Sequence, residues 1–203
     1  MPPLKHLFAH LPMTRSPRAY IFGLERLPAD LPRGLVLEVG TGQGYSTAFL
    51  SRALPDRQVV AIDVTYECFK PHALTFGPRR PWFVQASAPA LPFVAERFAL
   101  ATMVMTFHCL PQPQRVFCEV ARVLAPGGAL LLADVDGTHW LAPWFERVEH
   151  WGGISAITRA YRPERMQQMA AKAGLALQGV YRRKRKGFMV WYLWRKPAGP
   201  PPP

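Results

Sequence analysis

The run Leu35-Val36-Leu37-Glu38-Val39-Gly40-Thr41-Gly42-Gln43-Gly44-Tyr45-Ser46-Thr47 decides the reading of this chain. An apolar strand, an acidic residue two places before the first glycine, and a G-x-G-x-G turn opening a helix form a nucleotide-binding turn. The glycines are needed because a tight strand-to-helix turn visits φ > 0 and because a ligand must approach bare backbone. Dinucleotide turns read G-x-G-x-x-G and set a pyrophosphate on the helix N-terminus. Here the third glycine comes one residue early, and Glu38 beneath the turn would repel a pyrophosphate. A ligand with a cationic end and no phosphate fits better. An NAD-type turn and a glycine-rich loop without ligand are the alternatives.

Outward from this turn, strands and helices alternate, which implies a parallel sheet covered on both faces. The pattern predicts strands at 35–39, 58–63, 81–85, 98–105 and 129–134, then two more at 175–181 and 188–194 across a basic turn. Helices are expected from Gly44 to Ala53, around 66–76, from Pro113 to Leu124, and from Pro163 to Ala173. Pro113 starts its helix at a position where the missing N–H costs nothing, and Pro126-Gly127-Gly128 is expected to stop it. Residues 1–33, rich in proline and arginine, form a lead-in or cap. Residues 34–196 form one α/β domain, and 197–203 a disordered proline-rich tail.

A chain of 203 residues is long enough for one such domain and cramped for two. No apolar run reaches the roughly 18 residues of a membrane span, and the N-terminus lacks a secretory pattern. Cys68, Cys109 and Cys118 never form a C-x-x-C pair, so neither a disulfide framework nor a structural zinc is expected, and the cytoplasm is the expected compartment. The formal net charge is +12 and the sequence pI about 10.3. One reading is a solvated arginine-rich surface. The other is an anionic partner, such as RNA or an acidic metabolite.

Four segments in order resemble the small-molecule, type-11-like branch of the class I S-adenosylmethionine (AdoMet)-dependent methyltransferases, over about residues 34–135. The first is the opening turn itself. The second is Asp63, which closes the second strand 21 residues after Gly42. The third, Ala86-Ser87-Ala88-Pro89-Ala90-Leu91-Pro92-Phe93, looks like the family's G-D-A-x-x-L-P-F. The fourth is Thr106-Phe107-His108-Cys109-Leu110-Pro111, followed by Glu119-Val120-Ala121-Arg122-Val123-Leu124-Ala125-Pro126-Gly127-Gly128. The resemblance implies a Rossmann-like, doubly wound, seven-stranded, mainly parallel sheet with an antiparallel last strand.

It also implies AdoMet as cofactor. Gly40, Thr41, Gly42 and Gly44 would face the methionyl part, Glu38 would help hold the ammonium end, and Asp63 would accept the ribose hydroxyls. Val64, Ser87 and Ala88 would lie at the adenine, and Thr106 would border the site. Ser87 stands where the family carries an aspartate, so a charge-assisted bond becomes a neutral one. The implied reaction is in-line methyl transfer to a small-molecule acceptor of anionic or aromatic character. His108 is the candidate general base for a hydroxyl. No metal is expected, because Met105-Thr106 offers no aspartate at the end of strand four. An RNA methyltransferase and a non-catalytic AdoMet-fold binding protein are the alternatives. The turn 182–187 and the aromatic residues Trp140, Trp144, Phe145 and Trp151 are further candidates at the substrate side.

Overall fold

A computed structural model of the chain describes residues 23, 26–42, 44–65, 76–151, 157–182 and 187–199. The described strands form one seven-stranded sheet in the order β3-β2-β1-β4-β5-β7-β6. They are β1 (Leu35–Val39), β2 (Val59–Asp63), β3 (Trp82–Gln85), β4 (Phe98–Val104), β5 (Leu124–Val135), β6 (Ala176–Tyr181) and β7 (Met189–Arg195). Pairing is parallel from β3 through β5, and β7 runs antiparallel to both β5 and β6. This is the doubly wound, Rossmann-like sheet with one reversed strand that the sequence implies. Strand order reverses between β1 and β4, and the crevice at their carboxyl ends is where ligands of such sheets bind.

The helices that the described residues give in full are α1 (Tyr45–Ala53), α2 (Pro113–Val123), α3 (Ala142–Trp151) and α4 (Pro163–Lys172). Side-chain alternation along the strands divides the core. Leu37, Val39, Val60, Ile62, Met103, Leu130 and Leu132 pack with Val116, Phe117 and Val120 of α2 and Met166 and Met169 of α4. Val36, Val59, Leu100, Leu131 and Trp191 pack on the other face with Leu50 of α1. Residues two apart on a strand share a face, so Glu38 stands on the Val36 side, toward α1. The parity of one strand therefore places the acidic residue of the opening turn beneath the first helix.

Three details depart from the sequence reading. The chain becomes extended at Leu124, five residues before the predicted strand, so Pro126-Gly127-Gly128 lies inside β5 rather than between elements. Pro126 forces Ala125 out of the helical region, and the register shift between Phe98 and Leu100 absorbs the irregularity. β3 lies at the sheet edge, which leaves Trp82 exposed on a strand of a sheet expected to be covered on both faces. Helix α3 was not anticipated, because its largest residues face outward and Ala142 alone is fully buried. The lead-in (with the exception of Gly23 and 26–33), the helix expected around 66–76 (up to residue 75), Gln43, residues 183–186 of the basic turn and residues 200–203 of the tail lie outside the described residues.

Candidate active site at the carboxyl edge of the sheet

The opening turn has the backbone that its glycines predict. Gly40, Gly42 and Gly44 have φ of 77°, 50° and 80°, all in the left-handed region. Their reasons differ. A Cβ on Gly40 would lie 2.1 Å from Thr106 Cγ2 and 2.5 Å from its Oγ1, so this glycine lets the end of β4 close against the turn. A Cβ on Gly42 would meet nothing within 4 Å. Its conformation is fixed by its N–H, which donates to Asp63 Oδ2 at 3.0 Å, and it borders open space. The Gly40 and Thr41 N–H groups donate to Ile62 O at 2.8 and 3.1 Å, tying the turn to the end of β2. Thr106 Oγ1 donates toward Gly40 O and Val104 O, and Met105 beside it has φ of 52°, an uncommon conformation for a non-glycine residue. Strain is thus stored at the crevice where β1 and β4 diverge.

Glu38 is 1% exposed and accepts hydrogen bonds from the Ser46 and Thr47 hydroxyls on the first turn of α1. Thr41 Oγ1 lies 2.5 Å from Thr47 Oγ1, which continues the chain of polar groups into the turn. Burial pushes the Glu38 carboxyl up to about 8. The Thr47 hydroxyl works against that rise, and the Asp63 charge adds to it. Both carboxyl oxygens are occupied within the protein, so Glu38 acts on anything in the turn through the hydroxyls, and through charge once it ionises, rather than by direct contact.

Asp63, at the end of β2, uses Oδ2 for the Gly42 N–H and Oδ1 for the Thr65 N–H, each at 3.0 Å. A carboxylate has about four acceptor sites, so two remain for a ligand diol. Val64 is 61% exposed beside it, and Gln85 Nε2 clips Val64 O at 2.9 Å. Ser87 is exposed and bridges to Ala90, while Ala88 is buried. The Glu119-x-x-Arg122 pair explains how this loop is held. Arg122 makes two bonds to the Glu119 carboxylate (2.9 and 2.8 Å) and donates to Phe93 O and Leu91 O, and Glu119 accepts from the Leu91 N–H. The Arg122 guanidinium keeps Glu119 below the usual carboxylate range. Glu119 and Arg122 of the fourth segment therefore position the third.

His108, in a 3-10 turn at Phe107–Cys109 just past β4, is buried. Nδ1 lies 2.7 Å from Asp134 Oδ1, and Nε2 lies 3.2 Å from Glu149 Oε2 on α3. Asp134 Oδ2 also accepts the His108 backbone N–H at 3.0 Å. Burial alone would lower the imidazole pKa. The Asp134 charge, with hydrogen bonds involving Asp134, Cys109 and Glu149, instead holds it well above the ordinary value. Neither ring nitrogen is left free. Sequence reading found His108 but not its partners, which lie 26 and 41 residues further on with no motif to announce them.

Helix α3 is tied over this edge by Glu149, by Phe145, whose ring meets His108 edge-on at 5.2 Å, and by Glu146, which accepts the Ala160 N–H at 2.7 Å. Trp140, Trp144 and Trp151 are 79%, 61% and 73% exposed. Of the basic turn, Arg182 is described. Its guanidinium bonds Asp136 Oδ2 at 2.9 and 2.6 Å, so its charge is neutralised rather than free for a partner. No helix among the described residues is long and apolar enough to cross a membrane.

Residues 36–128 match the family described as "Methyltransferase domain". The phthiotriol/phenolphthiotriol dimycocerosates methyltransferase 1 of Mycobacterium ulcerans is 35% identical over 113 residues, which are 54% of this chain and 40% of that protein. The fatty-acid O-methyltransferase of Mycolicibacterium smegmatis is 32% identical over 121 residues, 57% of this chain and 42% of that protein. The chain thus spans about two fifths of the length of these relatives. Among solved structures, an S-adenosylmethionine-dependent methyltransferase from Mesorhizobium loti superposes with a TM-score of 0.69 at 12% identity, covering 86% of this chain and 96% of that one. Residues 36–128 thus match a methyltransferase domain, and the seven-stranded sheet that holds them has the fold of the solved S-adenosylmethionine-dependent methyltransferase.

Proposed function

We propose that this chain transfers the methyl group of AdoMet to a heteroatom of an apolar, lipid-like small molecule. The sulfonium supplies an already activated methyl group, so the protein's part is to orient, desolvate and exclude water. The residues present suit that donor. Gly42 borders open space through bare backbone, Glu38 lies beneath the turn as a buried acid, Asp63 has spare acceptor sites, and Val64, Ser87 and Ala88 edge the adenine side. Thr41, Gly44 and Gly40 with Thr106 frame the methionyl end.

The observation that carries the acceptor class is the exposure of Trp140, Trp144 and Trp151, on the segment that His108 anchors to the carboxyl edge through Glu149. Aromatic side chains at the mouth of a site favour an apolar acceptor over a strongly hydrated one. The names of the two mycobacterial relatives point to lipid acceptors as well. With both ring nitrogens of His108 engaged, its role in this reading is to position α3 and the acceptor, and the acceptor's proton leaves to water. The test is calorimetry with AdoMet, followed by transfer of labelled methyl to a long-chain fatty acid, a long-chain alcohol, a polar amine and bulk RNA. Heat on AdoMet binding and label in the long-chain acceptors are expected. Label in RNA with a steep salt dependence would replace this reading by the nucleic-acid one. Absence of AdoMet binding at millimolar ligand would leave only a non-catalytic role.

A further inference from the structure

We propose that His108, Cys109 and Glu149 form a zinc site in which the metal pins α3 to the end of β4. His108 Nε2, Cys109 Sγ and a Glu149 carboxylate oxygen lie within 4.8 Å of one another. Two edges of this triangle are known individually: Nε2 to Oε2 is 3.2 Å, and Sγ to Oε2 is 3.6 Å. Tetrahedral zinc with bonds of about 2.0–2.1 Å to nitrogen and oxygen and about 2.3 Å to sulfur needs edges of roughly 3.3 Å and roughly 3.5 Å. The donor set is nitrogen, thiolate sulfur and carboxylate oxygen, which suits zinc and not magnesium or calcium.

The surroundings have the form of a metal site's outer shell. Asp134 takes the His108 Nδ1 position at 2.7 Å and the His108 N–H at 3.0 Å, which fixes the ring and turns Nε2 toward Glu149 and Cys109. A carboxylate on the far nitrogen of a ligating histidine is the usual way such a ring is oriented. The Thr158 hydroxyl donates to Glu149 Oε2 at 3.3 Å and holds the third donor in turn. His108 and Glu149 side chains are 3% and 13% exposed, so a bound ion would be shielded from water. Among the described residues, no lysine or arginine pairs with Asp134 or Glu149. Three protein ligands leave a fourth position open, as in zinc sites that take a water or substrate atom.

The inference stands apart from the proposed methyl transfer, and its test needs no activity. The purified chain is dialysed against zinc chloride and its metal content measured, with Cys109→Ala, Glu149→Gln and Asp134→Asn as probes and Cys118→Ala as control. One zinc per chain is expected in the wild type and in C118A. C109A and E149Q should each weaken binding at least hundredfold. D134N should weaken it roughly 10- to 100-fold, as second-shell changes do. Cobalt chloride added to the wild type should give tetrahedral absorption with a thiolate charge-transfer band, and zinc should protect Cys109 from alkylation. Those two readouts stand even if a variant fails to fold. A wild type that binds no zinc, cobalt without the thiolate band, an unprotected Cys109, or zinc retained by either C109A or E149Q overturns the site.

Discussion

Replacing Glu38 by glutamine tests the physical account of the opening turn directly. The carboxyl lies under the turn with its oxygens on Ser46 and Thr47, and burial raises it to about 8 from an ordinary value of 4.5. The folded protein therefore holds this proton more tightly than the unfolded chain. Stability from this group is intact below pH 4.5 and falls as the pH rises to 8, because the unfolded chain gives up the proton first. A shift of that size corresponds to roughly 5 kcal/mol once both states have titrated, a large share of a domain's typical stability of about 5–15 kcal/mol. Glutamine keeps the shape, and the two hydroxyls can turn to accept from its amide. His108 is also raised and pulls in the same direction above its ordinary value, but it is present in both proteins. It cancels in the difference. Urea unfolding of wild type and Glu38→Gln at pH 5, 6.5 and 8 should give a stability difference that grows in favour of the variant by roughly 4 kcal/mol across that range. Saturating AdoMet should flatten the wild-type curve, since a cation above the carboxyl favours its ionised form. Parallel curves for the two proteins without ligand would refute the buried, proton-holding role of Glu38.

Further changes separate the parts of the site. Gly40→Ala drives a Cβ into Thr106 at a strained φ and should cost about 3 kcal/mol or more on urea unfolding. Gly42→Ala meets open space and should cost only about 1 kcal/mol, while lowering AdoMet affinity by calorimetry. Arg122→Ala removes the donors to Leu91 O and Phe93 O and strands the Glu119 carboxylate. It should cost about 1–3 kcal/mol, with amide exchange rising first in residues 88–93. Tyr192 is buried with a hydroxyl that finds no partner among the described residues, so Tyr192→Phe should be neutral or should raise stability by about 1 kcal/mol in thermal unfolding.

Those elements legible in the sequence have local causes. A G-x-G-x-G turn between a buried strand and a helix is encoded by residues four or five apart, and the parity of β1 fixes the face of Glu38 without knowledge of any other strand. The alternation of strand and helix identifies the sheet, and the four ordered segments carry the resemblance to the methyltransferases. The parts that escaped are set by long-range contact. Helix α3 hides because its tryptophans face outward, which removes the apolar periodicity that a packed helix shows. Asp134 and Glu149 meet at His108 only after β5 and α3 are in place, and neither distance along the chain suggests it. The start of β5 was misplaced for a related reason. Pro-Gly-Gly signals a break locally, whereas hydrogen bonds from Gly127 N–H to Lys196 O and from Lys196 N–H to Gly128 O hold it in the sheet.

The distribution of burial explains where this chain departs from the methyltransferases it resembles and where it does not. Beneath the opening turn, Glu38 is 1% exposed, and burial there raises its carboxyl to about 8, so a change there is felt with little screening by water. Ser87 stands at the opposite end on an exposed strand-like bridge, where water competes for every polar contact. A carboxylate at an exposed position contributes only about 0–1 kcal/mol, so replacing it by a hydroxyl sacrifices little. Ala99 is fully buried in β4 and contributes packing rather than ligand contact. Restoring aspartate as Ser87→Asp should accordingly tighten AdoMet by less than about fivefold, within that same 1 kcal/mol. A gain of a hundredfold by calorimetry would mean that the adenine end closes over the cofactor and excludes water, and the exposure of Ser87 would then belong to the ligand-free protein alone.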